Sequence, residues 1–212
     1  MCRILSVTSD TAFECMHHLE KLSEISRISK EYQGHGWGCS WWEDGAWRHY
    51  KNLRPIWEDD FSRFGPSTRL VAHARSASLD HAIVLEYNMP YYDERYVYVF
   101  NGGLRGVTLK AEGRIGAEKI FNLMRRLDKG DTVDAMRRAL DIIDKRTRYI
   151  RAINVILADR DTVYLATMFN EDPGYFQMHH RREGSTLMLC SQPYPGESGW
   201  ETIPNHTVRA FR

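Results

Sequence analysis

The chain has 212 residues, enough for one well-filled core but short for two independent domains. Its 42% hydrophobic and 27% charged residues are ordinary for a globular protein. A formal net charge of +1 gives no electrostatic reason to expect nucleic acid or an anionic membrane as a partner.

The N-terminal segment lacks the continuous apolar stretch of a secretory signal, because Arg3, Ser6 and Asp10 interrupt it. No window approaches the length of a transmembrane helix, so we expect a cytoplasmic protein with reduced thiols. The four scattered cysteines are Cys2, Cys15, Cys39 and Cys190. Their spacing argues against a zinc site or a disulfide framework, and we expect neither a metal nor a cofactor.

The N-terminal half predicts a strand, a helix and then further strands. Residues 3–8 predict a buried strand, and Thr11 and Glu14 have the spacing of a capping box that would open a helix. The apolar face of that helix would consist of Phe13, Met16, Leu19 and Leu22. Residues 36–42 and 47–50 predict two strands joined by an Asp-Gly turn. The short apolar runs 69–73 and 96–100 suit central strands.

The C-terminal half predicts two helices and then strands. The first helix carries Ile120, Phe121, Met124 and Leu127, and the second begins near Asp131 with 3-4-3 apolar spacing. Strands are predicted at 153–158, 162–167, 185–190 and 207–211, with a hairpin turn at 159–161. Strands grouped apart from helices favour α+β layers, here in one domain spanning residues 2–212.

Cys2 is the first residue with potential chemistry. Cysteine is small enough for the preceding Met1 to be trimmed, which leaves a thiol and a free α-amine on one residue. An α-amine has a reference pKa of about 7.7–8.0, so it can act as the general base for the thiol. The alternative is a buried structural cysteine, or an untrimmed N-terminus with no catalytic role.

Two further segments follow predicted strands. The amide of Asn101 and the backbone N–H of Gly102 could form an oxyanion hole, although Asn-Gly taken alone is better interpreted as a tight turn. The guanidinium of Arg75 could bind a substrate carboxylate bidentately, with a surface ion pair as the alternative.

Taken together and in order, several motifs resemble the class II glutamine amidotransferases, which are N-terminal-nucleophile hydrolases. The likeness is greatest to a small stand-alone branch that includes the γ-glutamyl amidohydrolase of ergothioneine synthesis. The motifs extend over nearly the whole chain: Met1-Cys2-Arg3-Ile4-Leu5, Gly36-Trp37-Gly38, Trp41-Trp42, Trp47-Arg48, Lys51, Arg54-Pro55-Ile56-Trp57, Ala72-His73-Ala74-Arg75-Ser76-Ala77-Ser78, Asn88-Met89-Pro90, Asn101-Gly102-Gly103-Leu104, Ser191-Gln192-Pro193, Gly199-Trp200 and Ile203-Pro204.

The resemblance implies an αββα sandwich of four layers, in which two antiparallel sheets lie between helical layers. It implies that Cys2 attacks the side-chain carboxamide of glutamine or of a γ-glutamyl amide and forms a thioester that water hydrolyses. The oxyanion would be held by the Asn101 side chain and the Gly102 N–H.

The same resemblance assigns substrate binding to three residues. Arg75 would bind the α-carboxylate of the small-molecule amide substrate, and Ser76 and Gly103 would be further substrate-binding residues. A synthase partner or a homo-oligomer is compatible with this interpretation.

Three positions depart from the family pattern, and each lacks a polar or ionisable group. Phe100 stands where the family usually has histidine, and Gln192 where it has glutamate. Gly116 aligns with an aspartate that receives the substrate α-ammonium, unless Glu118 or Glu112 replaces it. The sequence therefore favours a substrate whose α-amine is substituted or absent.

Two other functions stay open at this point. The chain has no room for an acceptor domain, so it could supply ammonia as the glutaminase subunit of a synthetase complex. The lost polar groups also leave open a catalytically degenerate protein of the same fold that binds a small molecule or a partner.

Overall fold

The computed structural model describes residues 1–77 and 83–212. In chain order the helices and strands are β1 (Arg3–Glu14), α1 (Cys15–Arg27), β2 (Trp37–Glu43), β3 (Ala46–Asn52), β4 (Pro66–Ala74), β5 (Tyr91–Tyr92), β6 (Val97–Val107), α2 (Gly116–Leu127), α3 (Thr132–Arg146), β7 (Thr147–Ala158), β8 (Val163–Phe169), α4 (Pro173–Phe176), β9 (Met178–Glu183), β10 (Thr186–Cys190), β11 (Glu201–Ile203) and β12 (Thr207–Phe211). Short 3₁₀ helices cover Ile56–Glu58 and Leu85–Tyr87.

Within the described residues the strands form two antiparallel sheets that pack face to face. The first has the order β11-β9-β10-β1-β4-β2-β3, and the second has the order β12-β8-β7-β6-β5. Helix α1 covers the outer face of the first sheet, while α2 and α3 cover the outer face of the second. This is the predicted α+β sandwich of four αββα layers.

The alternation of side chains along β1 connects two hydrophobic clusters. Ile4 belongs to the cluster that the two sheets share, whereas Leu5 and Val7 belong to the cluster beneath α1. Successive side chains of a strand point to opposite faces, so the even-numbered residues at the start of β1 face the second sheet.

Local sequence signals explain three of the boundaries. Asp44 and Gly45 both have positive φ, 51° and 78°, as a two-residue type I′ hairpin turn requires, and they join β2 to β3. The Asp159 carboxylate accepts the N–H of Thr162 at 2.8 Å and closes the next predicted turn. Asp131 caps α3 by accepting the Asp134 N–H at 2.9 Å.

The predicted capping box is wrong. β1 continues through Thr11 to Glu14, and α1 begins at Cys15 without a side-chain cap. After a bulge, residues 13 and 14 pair with the beginning of β4, so pairing within the sheet outweighs the local helix signal. Met16 is accordingly 41% exposed, although the helical pattern had placed it on the buried face.

Four short elements were not predicted: β5, β9, β11 and α4. β9 has the sequence Met-His-His-Arg-Arg-Glu, which gives no apolar alternation. It is a strand because it lies between β10 and β11 and pairs with both.

Two buried histidines are neutral at pH 7. His73 on β4 is fully buried between the sheets, and burial, with a smaller contribution from Arg75, lowers its pKa to about 3. His18 on α1 packs against Tyr194, and burial lowers its pKa to about 4. An unfolded histidine binds a proton near pH 6.5, so acid favours unfolding at both positions.

We predict that the stability contributed by these histidines is complete above pH 6.5 and is lost as the pH falls towards 4. Each should cost about 1.4 kcal/mol of unfolding free energy per pH unit in that range. His73→Gln should reduce the dependence of the unfolding free energy on pH by the contribution of one histidine. Urea unfolding at pH 7 and pH 5 measures this dependence.

His206→Asn is the matched control for this measurement. His206 is exposed and has a φ of 60°, which asparagine tolerates, so this variant should keep the wild-type slope. An unchanged slope in His73→Gln would contradict the prediction.

Candidate active site

Cys2 lies immediately before β1, with its side chain directed between the two sheets. It is 9% exposed, and by alternation it shares the face of Ile4. The Ser76 N–H donates to its Sγ at 3.5 Å, and the thiol donates to the Ser76 carbonyl oxygen at 3.7 Å. The structure therefore brings together two residues that are 74 positions apart in the sequence.

The charge state of Cys2 is set by opposing effects. Burial raises the pKa of its thiol, while the N-terminal ammonium, the Ser76 N–H and the positive charge of Arg75 all act to lower it. The net effect is a raised pKa, so the thiol is protonated at neutral pH. A nucleophilic role therefore requires a base close to the sulfur.

Arg75 follows β4 and is buried, being only 5% exposed. Its Nη1 donates to Oδ1 of Asn88 at 2.9 Å, and the Asn88 Nδ2 donates to the Asn52 carbonyl oxygen at 2.8 Å. Asn88 is itself fully buried and so fixes the direction of the guanidinium. The alternative of a surface arginine is wrong, because the Arg75 side chain is buried and contacts Val84 and Asn88.

Asn101 lies inside β6, where it pairs with Asn154 of β7. The tight-turn interpretation of Asn101-Gly102 is therefore wrong, because both residues continue the ladder. Asn101 is fully buried, and neither its Nδ2 nor its Oδ1 has a hydrogen-bond partner among the described residues. A buried amide in that state is costly for a folded protein and suggests a site for a ligand.

The two glycines after Asn101 permit close approaches. A Cβ on Gly102 would lie 2.3 Å from the Ala152 carbonyl oxygen and 2.5 Å from the Phe100 ring. A Cβ on Gly103 would lie 3.4 Å from the Cε of Met1. Gly103 thus faces the residue that precedes Cys2, so this part of β6 lies beside the N-terminus.

Met1 is held by residues that the sequence analysis did not identify. Its carbonyl oxygen accepts hydrogen bonds from Gln33 Nε2 at 2.5 Å and from the Tyr175 hydroxyl at 2.6 Å. Its ammonium forms an ion pair with Glu31, which also accepts from Arg151 Nη1 at 2.9 Å. Despite partial burial, the ammonium and Arg151 hold the pKa of Glu31 below its usual value.

Arg3 anchors the beginning of β1. It is 4% exposed and donates to the Ser29 hydroxyl at 3.2 Å and to the Ser191 carbonyl oxygen at 3.2 Å. Its guanidinium also lies 4.1 Å above the Tyr175 ring, as a cation–π contact. The residues around the N-terminus are thus joined to α4 and to the end of β10.

Curated relatives with this sequence pattern are hydrolases, although no family model matches the chain. The chain is 26% identical over 180 residues to the γ-glutamyl-hercynylcysteine sulfoxide hydrolase of Mycolicibacterium smegmatis, covering 80% of this chain and 74% of that protein. The protein of the same name from Mycobacterium tuberculosis H37Rv is 26% identical over 183 residues, covering 80% of this chain and 72% of that protein.

Solved structures show the same architecture. A glutamine aminotransferase class-II domain protein from Silicibacter pomeroyi superposes with a TM-score of 0.69 at 15% identity, over 99% of this chain and 94% of that one. A predicted glutamine amidotransferase from Pseudomonas aeruginosa gives a TM-score of 0.61 at 13% identity, over 99% and 97%. The chain resembles the class II glutamine amidotransferases and has their fold. Its relatives confirm the expectation of an amidohydrolase-type enzyme.

The resemblance aligns Gly116 with an aspartate that receives the substrate α-ammonium. Gly116 is exposed at the beginning of α2, and a Cβ placed there would meet nothing within 4 Å. Glu118 is bound by Arg114, whose Nη2 donates to Oε1 at 2.6 Å, and Glu112 is exposed. Glu118 is thus already paired with Arg114 and is not an unpaired acceptor for an α-ammonium.

The other two positions that depart from the family pattern, Phe100 and Gln192, have different surroundings. Phe100 packs its ring against Gly102. By alternation it lies on the face of β6 opposite to Asn101, the face on which Tyr98 stacks against Phe121 of α2. Gln192 follows β10 and is half-buried. Ser78, the last residue of the Arg75 motif, lies outside the described residues.

The described part of the chain gives two further results. It contains no cluster of three or more His, Cys, Asp or Glu side chains that could hold a metal ion. None of its helices is both long enough and apolar enough to span a membrane.

We predict that Gly102→Ala destabilises the protein by about 1–3 kcal/mol, because the new methyl group would overlap backbone and the Phe100 ring. Urea unfolding would measure this change. Gly65→Ala is the control, since a Cβ there would meet nothing within 4 Å. Equal stability of the two variants would contradict the close packing around Gly102.

Proposed function

We propose that the protein hydrolyses the side-chain carboxamide of glutamine or of a γ-glutamyl amide through a thioester on Cys2, once Met1 has been removed. The observation that carries this proposal is the buried amide of Asn101, which has no hydrogen-bond partner within residues 1–77 and 83–212, in a segment of β6 that reaches the N-terminus. Such an amide can donate to an oxygen on which negative charge develops.

In this mechanism the α-amine of Cys2 takes the thiol proton, and the thiolate attacks the carboxamide carbon. The tetrahedral oxyanion accepts hydrogen bonds from Asn101 Nδ2 and the Gly102 N–H. The carbon–nitrogen bond then breaks, and the leaving nitrogen takes the proton from the α-ammonium. Water then attacks the thioester carbon and gives a proton to the α-amine. The amine passes this proton to the departing thiolate, so that the acid is released and the Cys2 thiol is restored.

Substrate binding is assigned to the other side of Cys2. Arg75 would bind the α-carboxylate, an assignment supported by its burial and by its orientation through Asn88. Ser76 already contacts the sulfur, and Gly103 lies beside the Met1 side chain. A synthase partner or a homo-oligomer remains a prediction.

Removal of Met1 also changes the electrostatics of the thiol. The ammonium that now acts on Cys2 from the preceding residue would then be carried by Cys2 itself, closer to the sulfur. When deprotonated, that amine would be the base that the raised pKa of the buried thiol requires.

We predict that Cys2→Ala lowers the release of ammonia from glutamine or N-acetylglutamine by roughly 10³-fold or more, because both the nucleophile and the thioester are lost. The measurement is kcat/KM for protein expressed without an N-terminal tag. Its intact mass must show the loss of one methionine.

Cys15→Ala is the matched control, because Cys15 is a buried free cysteine at the beginning of α1, away from Cys2. It should keep activity near the wild-type level. A glutamine-like diazoketone should add its mass to wild type and to Cys15→Ala but not to Cys2→Ala. Full amidase activity in Cys2→Ala would rule out the mechanism.

We predict that wild type hydrolyses N-acetylglutamine at least as well as glutamine, because no aspartate stands at position 116. Gly116→Asp should shift the kcat/KM ratio towards glutamine by about fivefold, the equivalent of an exposed ion pair of roughly 1 kcal/mol. Gly116→Asn, which has the same shape without the charge, should leave the ratio unchanged. A wild-type preference for free glutamine would contradict the prediction.

A further inference from the structure

The space that Met1 fills has the properties of a ligand site. Two donors, from Gln33 and Tyr175, bind its carbonyl oxygen, and Glu31 binds its ammonium. Its side chain packs against an apolar cluster composed of Ala152, Phe169, Tyr175 and Phe176. Gln33 is fully buried, and its Oε1 has no hydrogen-bond partner among the described residues. Removal of Met1 would therefore leave a space that is lined by hydrogen-bond donors, by hydrogen-bond acceptors and by an apolar wall.

The groups that bind Met1 differ from those of the proposed carboxylate site. Arg75 and Ser76 follow β4. The groups that hold Met1 come instead from the connection after α1 and from α4, on the side of β7. In the proposed mechanism the leaving nitrogen takes its proton from the Cys2 α-ammonium. The leaving nitrogen would therefore lie close to that amine, and the space that Met1 now fills adjoins it.

The charges around Met1 favour a cation. Arg151 lies 2.9 Å from a Glu31 oxygen, 3.7 Å from Glu171 and 3.6 Å from Asp172, and Lys30 lies 2.8 Å from Asp172. These three carboxylates are balanced by the two side-chain cations and the Met1 ammonium. Without Met1 the ammonium moves to Cys2, and Glu31 keeps Arg151 as a partner. When the Cys2 amine is neutral, as its role as a base requires, the cluster has one carboxylate in excess.

We propose that the space vacated by Met1 is the leaving-group subsite, and that it favours amides whose leaving amine carries a second, cationic group on a short apolar linker. The cation would bind Glu31, and the linker would lie on the wall formed by Phe169, Tyr175 and Phe176. The inference rests on the proposed function, and it identifies the class of amide that the enzyme accepts.

The test compares two γ-glutamyl amides of equal size on fully processed protein. One is formed with 1,4-diaminobutane and carries a terminal ammonium, while the other is formed with pentylamine and ends in a methyl group. Wild type should hydrolyse the first with a kcat/KM about tenfold higher, a preference equivalent to about 1.4 kcal/mol. Glu31→Gln should reduce the ratio to about one.

Glu24→Gln is the control, because Glu24 is an exposed carboxylate on α1. It should keep the wild-type ratio. A ratio near one in wild type, or a ratio that survives Glu31→Gln, would overturn the proposal. So would a Glu31→Gln variant that shifts the pH profile of both amides equally without changing the ratio, since Glu31 would then pair only with the Cys2 ammonium.

A separate result would show that the catalytic proposal itself is wrong. If wild type hydrolyses neither amide nor glutamine nor N-acetylglutamine, the catalytic mechanism is wrong, and calorimetric titration with the free amines then decides the subsite. Binding of 1,4-diaminobutane about tenfold tighter than pentylamine, lost in Glu31→Gln, would support the subsite. Equal binding of the two amines would overturn it.

Discussion

The buried guanidinium of Arg3 holds the beginning of β1, and the candidate site depends on that anchorage. Burying a cation costs several kcal/mol unless its hydrogen bonds to water are replaced. Here the replacements come from Ser29, Tyr175 and Ser191, which lie in three distant segments of the chain. Since Cys2 immediately precedes Arg3, the position of the thiol between the sheets follows from this arrangement.

The parts of the fold that the sequence predicted are those with strong local signals. The Asp44-Gly45 turn and the Asp131 cap depend on backbone preferences of a few neighbouring residues, so they can be recognised without tertiary information. The capping box at Thr11 failed because β4 offers residues 13 and 14 a ladder that outweighs a single cap. The interpretation of Asn101-Gly102 as a tight turn is wrong for the same reason, because both residues pair with β7 in the ladder of the second sheet.

The residues of the candidate site also divide into those with a local sequence signal and those without one. Cys2, Arg75 and Asn101 stand in recognisable motifs, and the structure places them in the interior between or beside the sheets. Glu31, Gln33 and Tyr175 have no such signal, because each is an ordinary residue in a short connection or a four-residue helix. Their contacts with Met1 depend on how α1 and α4 pack around the beginning of β1, which no local pattern encodes.

The contact between Asn88 and Asn52 links the position of Arg75 to the edge of the first sheet. β3 is the edge strand of that sheet, and its last residue supplies the carbonyl that Asn88 binds. Gly36 admits the Asn88 amide, because a Cβ there would lie 2.2 Å from its Nδ2. Edge strands and their hairpins tolerate insertions and substitutions better than central strands do. Substitutions at this edge strand would therefore change the direction of the Arg75 guanidinium without altering the residues that contact the Cys2 thiol.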